Sequence, residues 1–371
     1  MKTIKGKYTN AKVFSDSAED YALAQIQMLC DNEVFKDCNV RVMPDVHPGK
    51  VGTIGFTSTL GNKIMPNIVG SDIGCGISIS IIQEKHIEFR RLDTVIKNYI
   101  PAGFNIRGEV HKNFDKYCDI FDFHCPINKD KYMRSLGTLG GGNHFIEVDV
   151  DKKGRHYLVV HSGSRYLGQC ITDYYLKEGQ HYLKSRGIDV PYELTWLEGE
   201  LMEDYIHDVI MATRYAQMNR LTILEEIEKK MKFKSVYYME CIHNTISRIS
   251  NIDNWYIRKG AISANLGERV IIPINMKDGI IIGYGLGNED WNYSAPHGAG
   301  RIMNRENVKN NFTVSQFKNE MKGIYCSCIG KNTLDEAPFA YRGIDEIQEA
   351  IKNTVRIEEI LKPVYNYKAG D

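Results

Sequence analysis

Asp72 and Cys75 are separated by two residues in Ser71-Asp72-Ile73-Gly74-Cys75-Gly76, where glycines let the backbone turn sharply. Such a turn can aim a carboxylate and a thiolate at one point, a half-site suited to softer transition ions rather than magnesium or calcium. The plainer reading is a tight turn ahead of the strand-like ISISII. A second element, Gly137-Thr138-Leu139-Gly140-Gly141-Gly142-Asn143-His144-Phe145-Ile146-Glu147, leads three successive glycines into another strand-like run. Glycine runs let backbone N–H groups approach phosphates. Asn143 and Glu147 are able to hydrogen-bond a nucleotide, and His144 offers an imidazole. A flexible turn before an edge strand is the competing reading.

Val159-Val160-His161-Ser162-Gly163-Ser164-Arg165 ends an apolar run in a histidine, a hydroxyl pair and an arginine whose planar fork suits phosphate. Cys241-Ile242-His243-Asn244 adds a histidine that is equally readable as a satisfied structural residue. Ser294-Ala295-Pro296-His297-Gly298-Ala299-Gly300-Arg301 sets His297 in a glycine-bracketed turn with an arginine four residues on. Imidazole is largely uncharged near neutral pH, so it can attack phosphorus without first losing a proton. By residue type alone His297 is open as ligand, general base or nucleophile. Together the five sites supply Asp, Cys and four His, enough for two transition-metal ions and one reactive histidine. That combination points to metal-dependent phosphoryl transfer.

Periodicity indicates the elements that must position these residues. Ser15-Asp16-Ser17 precedes AEDYALAQIQML, a helical pattern with a cap and an acidic first turn. Residues 40–42, 77–82, 145–150, 157–161, 269–274 and 280–284 read as strands. Residues 196–232 have helical spacing, with a break allowed, and residues 344–361 read as a final amphipathic helix. No repeat or Pro/Gly/Ser-rich linker divides the chain. The expectation is one mixed α/β (α+β) domain over residues 1–371, with the reactive residues in turns just beyond strands.

Lys plus Arg and Asp plus Glu number 47 each among 371 residues, which argues against a strongly basic nucleic-acid coat protein but leaves room for a local basic groove. Apolar residues make up 43% and no run is long enough for a membrane helix. The basic N-terminus lacks a secretory core. Nine scattered cysteines, an odd number, fit free or metal-bound thiols in a reducing cytoplasm.

MPDVHPGK (43–50), VGSDIGCG (69–76), GGGNHFIEV (140–148), HSGSR (161–165), HN (243–244), RKGA (258–261) and HGAGR (297–301) resemble, in order, the motifs of the RtcB RNA ligases. DEAPFAY (335–341) and LKPVYNYKAGD (361–371) resemble that family's C-terminal segment. The resemblance implies a dinuclear manganese site in a central cleft, bridged by Cys75. His161 and His243 would complete one ion's ligands, Asp72 and His144 the other's. His297 would attack the α-phosphate of GTP and carry GMP. Asn143, Glu147 and Asn244 would hold GMP, with Asn275, Met276, Gly298, Ala299 and Gly300 around it and Lys368 on guanine. Arg165 and Asp45 would act near the RNA phosphate in later steps. The implied substrates are RNA ends carrying a 3′-phosphate or 2′,3′-cyclic phosphate and RNA ends carrying a 5′-hydroxyl, in splicing of transfer RNA or RNA repair.

The chain also departs from the family pattern. Pro273-Ile274-Asn275-Met276-Lys277 stands where many members read PGSMG, putting Asn275 in place of a nucleotide-contacting serine. GLGNEDWNYSAP (285–296) is likewise unlike the usual Ser/Phe-rich loop, and the chain is short for the family. His111, Cys118, His124 and Cys125 fit no zinc-finger spacing. Cys326-Ser327-Cys328 reads as buried thiols, and residues 226–234 as a solvated helix face. Two rival functions use the same residues: a dinuclear phosphoesterase that never uses GTP, and an RNA- or ribosome-binding module with a structural metal.

Overall fold

Long β-branched runs build the frame. His156–Ser162 is buried at every position, and Gly76–Ile82 at all but one, as strands covered on both faces require. The computed structural model describes residues 1–117, 121–249 and 254–369. An eight-stranded sheet runs in the order Ser235–Ile242, Gly76–Ile82, His156–Ser162, Phe145–Val150, Val355–Lys368, Gly279–Gly285 and Arg269–Asn275, with the short Tyr325–Cys326 pairing alongside Val355–Lys368. A six-stranded sheet runs Lys2–Lys5, Asn10–Val13, Val40–Pro48, Thr53–Thr59, Trp255–Lys259 and Asn244–Arg248. The fold is mixed α/β, and all six expected strands are present, Phe145–Val150 with the expected bounds.

The helical run expected over residues 196–232 is a single unbroken helix, Gly199–Met231. Its buried side chains include Ala212, Tyr215, Ala216, Asn219, Ile223 and Ile227, the three-and-four spacing of one face turned to the sheets. It ends at Lys232 in a left-handed conformation, φ 63°. The first helix starts at Asp20, later than the serines suggested, with no side-chain cap. Ser15 and Ser17 contact each other instead, at 3.5 Å.

The C-terminus corrects the expected final helix. The helix stops at Ile351, having buried Ile347 and Ile351, and Val355–Lys368 is a 14-residue strand. Good helix formers in EEILK are overruled because the segment pairs along its length with neighbouring strands, first Gly279–Gly285 and then Phe145–Val150. Ile280 pairs with Leu361 on one side, and Phe145 with Lys368 on the other. Backbone pairing and burial on a central strand outweigh local preference. Pro363 sits where the register shifts, the tolerated place for a residue without an N–H. No helix of the described residues is long and apolar enough to cross a membrane.

Candidate active site

Antiparallel register collects the reactive residues at one end of the large sheet. His243 follows the C-terminal end of Ser235–Ile242, and its N–H donates to the Cys75 carbonyl at 2.9 Å. Cys75 precedes the strand Gly76–Ile82, Ile77 lies opposite His161, and His161 lies opposite Phe145, the neighbour of His144. Lys368, opposite Phe145, ends at the same edge. Residues far apart in sequence therefore meet because alternate strands reverse direction.

Cys75 Sγ lies 3.3 Å from His144 Nε2 and 3.2 Å from His161 Nε2. His243 Nε2 is 3.4 Å from His161 Nε2, and Asp72 Oδ2 is 3.4 Å from His144 Nε2. His161 Nδ1 can only donate to the Asn143 carbonyl, at 3.2 Å, so its Nε2 lone pair points into the cluster. A thiol and three imidazoles converge there, and His144 Nδ1 is buried without a partner. Burial lowers His161 and His243 well below the usual histidine range, which keeps them neutral. Burial, then Asp72, pushes the Cys75 thiol far up. Burial would also raise Asp72, but His144 outweighs it and holds the carboxylate low. The donor set fits a transition-metal cation, which would neutralise Asp72 and a Cys75 thiolate together.

The long helix clamps these turns. Asn219 accepts from the Gly137 and Thr138 N–H groups and donates to the Thr138 and Gly163 carbonyls. Arg220, fully buried, donates to the Gly74 and Ser162 carbonyls at 2.8 and 2.9 Å. Two adjacent helix residues thus fix the backbone beside Cys75, His144 and His161. Gly140 is required here: at φ 93° a Cβ would lie 1.9 Å from Arg165 Nη1 and 2.5 Å from His144 Nδ1. Arg165 itself holds φ 57°, a strained value for a long side chain and one that gathers at functional sites.

Beside the cluster opens a cavity of 610 Å³, the size of a small-molecule site. Asn143, Phe145, Glu147, Asn275, Met276, Gly298, Ala299, Gly300 and Lys368 line it, as do His47, His297, Glu336, Tyr341 and Asn366. The ring of His297 lies 4.8 Å, centroid to centroid, from that of His243. His297 Nδ1 donates to Asp45 Oδ2 at 2.6 Å, and His47 Nδ1 donates to the Asp45 carbonyl at 2.9 Å. Burial brings His47 down to about 4. Lys368 Nζ donates to Glu336 at 2.7 Å, and Tyr341 donates to the same carboxylate at 2.6 Å. Burial would raise Glu336, but Lys368 and Arg305 bring it down to about 2. Glu147 accepts from the Asn366 amide, and burial raises Glu147 to about 7.

The family model described as tRNA-splicing ligase RtcB matches residues 28–127 and 122–369. The chain belongs to the RtcB family. Escherichia coli strain K12 has a relative named RNA-splicing ligase RtcB that is 31% identical, with 89% of this chain and 90% of the relative covered. RNA-splicing ligase RtcB1 of Escherichia coli strain ATCC 25922 is similar to the same degree, 31% over the same shares. The tRNA-splicing ligase RtcB of Aeropyrum pernix is 26% identical over 83% of each chain.

Most residues singled out through the RtcB motifs join either the donor cluster or the cavity wall; three do neither. Asn244 spends its side chain on the Asp72 carbonyl and the Gly260 N–H. Asp45 sits behind His297 rather than beside Arg165. Arg165 donates to the Gly103 carbonyl at 3.0 Å, on the Gly140 side of the cluster. Asn275 is on the wall but donates to Asp278 at 2.9 Å. Asn219, Arg220, His47 and Asn366 were given no role by the sequence reading. An Asn-Arg pair on an otherwise apolar helix face was the available signal for the first two. Glu336 and Tyr341 lay within DEAPFAY without a role.

The features read as bland have structural partners. The Cys125 and His124 N–H groups donate to Asp208, and His111 contacts Glu226. Cys118 lies outside the described residues. Cys326 and Cys328 are half-buried free thiols with sulfurs 3.2 Å apart. In the stretch 226–234 Ile227 and Met231 face the core, and the lysines lie outward.

Proposed function

We propose that this chain is an RNA ligase that joins a 3′-phosphate or 2′,3′-cyclic phosphate end to a 5′-hydroxyl end, using GTP and manganese, as one catalytic unit over residues 1–371 in the cytoplasm. The observation that carries this reading is His297, which sits on the cavity wall with Nδ1 bound to buried Asp45 and its ring against that of His243. With Nδ1 protonated, Nε2 keeps a lone pair and is the nucleophilic nitrogen. A structural metal would give no reason to hold a histidine this way, and a simple phosphoesterase would leave the cavity without an occupant.

His297 Nε2 attacks the α-phosphorus of GTP. A phosphorus–nitrogen bond forms, the bond to the bridging oxygen breaks, and pyrophosphate leaves. The RNA 3′-phosphate then attacks the same phosphorus, releasing His297 and placing GMP on the RNA end. The 5′-hydroxyl of the second end attacks the 3′-phosphorus, loses its proton, and GMP departs. A cyclic phosphate is first opened by water. Phe145 and Tyr341 offer faces to the guanine, Glu147 and Lys368 its polar edge, and Gly298 and Gly300 room for backbone to approach phosphate. Asp45 orients the nucleophile, and Arg165 stands ready for RNA phosphate. Cys75, His161 and His243 would hold one manganese ion, and Asp72, Cys75 and His144 a second. Bound manganese supplies Lewis-acid neutralisation of charge on the phosphate oxygens.

Incubation with GTP labelled at the α-phosphate and manganese tests the reading. Wild type should retain acid-labile, alkali-stable label, the signature of nitrogen linkage. His297→Gln should bind manganese, form no adduct, and still seal RNA supplied with a guanylylated 3′ end. Label on the His297→Gln protein would refute the mechanism. Phosphoesterase activity without label, or RNA binding alone, would favour one of the rival readings.

A further inference from the structure

Phe104 is 100% exposed, at the tip of a turn that is firmly held at its base. Gly103, at φ 64°, donates its N–H to the Gly140 carbonyl at 2.9 Å and accepts from Arg165 Nη2 at 3.0 Å. The Leu139 N–H donates to the Pro101 carbonyl at 2.8 Å. The turn is therefore tied to the glycine run beside His144 and to Arg165, while its aromatic ring meets only water. A phenylalanine stabilises a fold through burial of its ring, so this exposed ring contributes nothing of that kind.

Phe104 borders a second groove of 780 Å³. Lys97, Asn105, Lys331 and Asn332 line it too, no carboxylate among the described residues does, and Lys368 is shared with the first cavity. Lys97 is paired with Asp93 and Lys368 with Glu336, whereas Lys331 is exposed and has no ion pair among the described residues. In a chain of zero net charge, Lys331 leaves the described lining of this groove with one unbalanced positive charge. A cationic groove, an exposed aromatic face and side-chain amides are what an unpaired nucleic-acid strand binds: charge follows the backbone, and the ring stacks on a base of any identity. An apolar protein surface would instead meet a single ring among lysines.

Resting on the RNA-ligase reading, we propose that this groove holds the single-stranded segment of an RNA end next to the joined phosphate, with one base stacked on Phe104 and Lys331 against a backbone phosphate. Continuity supports the placement, because the turn that carries Phe104 holds Arg165 and the groove's far wall is Lys368.

The test uses the full chain and a short 3′-phosphorylated RNA, with binding read by fluorescence anisotropy. Phe104→Ala should weaken binding by ~10-fold, the size of one stacked base, and Phe104→Trp should restore it. In a series of RNAs each lacking one base, removal at a single position should weaken wild type by a similar factor. The same removal should have no further effect on Phe104→Ala, since the two changes delete one contact. Lys331→Gln should flatten the salt dependence by ~0.7 in log–log slope, the share of one single-strand phosphate. Equal RNA affinity of wild type and Phe104→Ala, or losses that simply multiply at every base position, would overturn the groove. GMP labelling needs no RNA and reads the underlying function separately. A wild type that takes label and binds RNA while Phe104→Ala binds equally well sinks this inference alone. A wild type that neither takes label nor binds RNA sinks both.

Discussion

His297 Nδ1 and Asp45 Oδ2 are 2.6 Å apart, although 252 residues separate them in the chain. Asp45 is completely buried and His297 nearly so, with 16% of its side chain exposed. A buried carboxylate in this position fixes one imidazole tautomer and would stabilise the charged ring of the proposed phosphoramidate.

Asp45→Asn should therefore keep the shape and lose the chemistry. An amide can donate to Nδ1 and so select the tautomer with its proton on Nε2. The rate of GMP labelling should fall on the order of 10³-fold or more, as for the aspartate of a catalytic triad, with metal content unchanged. Quench-flow labelling beside elemental analysis decides it; labelling at the wild-type rate would remove Asp45 from the mechanism.

Cys75 and His243 should differ in what they cost the metal site. Cys75 lies between His144 and His161, so Cys75→Ala removes a donor common to both proposed ions, and His243→Ala mainly affects one. After purification in manganese, metal per chain should drop further in the cysteine variant. Full occupancy of Cys75→Ala would break the two-ion assignment.

End chemistry should be strict. GMP can form its anhydride only with a phosphate, so 3′-phosphate and cyclic-phosphate ends should be sealed to 5′-hydroxyl ends. A 3′-hydroxyl paired with a 5′-phosphate should remain open. Gel analysis of defined oligonucleotides reads this directly, and efficient sealing of the second pair would contradict the order of activation.

Asp149 gives a pH test of the fold behind the cavity. It is fully buried, neither carboxylate oxygen has a hydrogen-bond partner, and burial, then Glu147, raises its pKa well above the usual range. The folded chain keeps a proton that the unfolded chain releases above ~3.9, so this group lowers stability as pH rises through that window. Asp149→Asn cannot ionise. Its unfolding free energy should exceed wild type at neutral and mildly alkaline pH, and the gap should shrink towards pH ~4. Denaturant titrations across that range check the sign; a variant less stable at neutral pH than in acid, relative to wild type, would show Asp149 to be ionised in the fold.

Local patterns along the chain mark which residues can react and roughly where they lie. Glycine-containing turns beside strand-like runs singled out Asp72, Cys75, His144, His161 and His297, because turn chemistry and strand periodicity are local and a few neighbouring residues encode them. His243 was visible as a residue type but not as a partner, since nothing local distinguishes a ligand from a satisfied histidine. The relationships that emerge with the folded chain are long-range. The pairing of Asp45 with His297 depends on the strand Val40–Pro48 meeting the turn that follows Ser294–Pro296. The clamp by Asn219 and Arg220 depends on which helix face lies under the turns. Asn244 is turned to the Asp72 carbonyl and the Gly260 N–H, which the tertiary fold brings beside it from distant parts of the chain. Val355–Lys368 is a strand although its local composition favours a helix, because Gly279–Gly285 pairs with its first half and Phe145–Val150 with its second. Propensity is a small local free energy, and the backbone pairing and burial of a central strand exceed it.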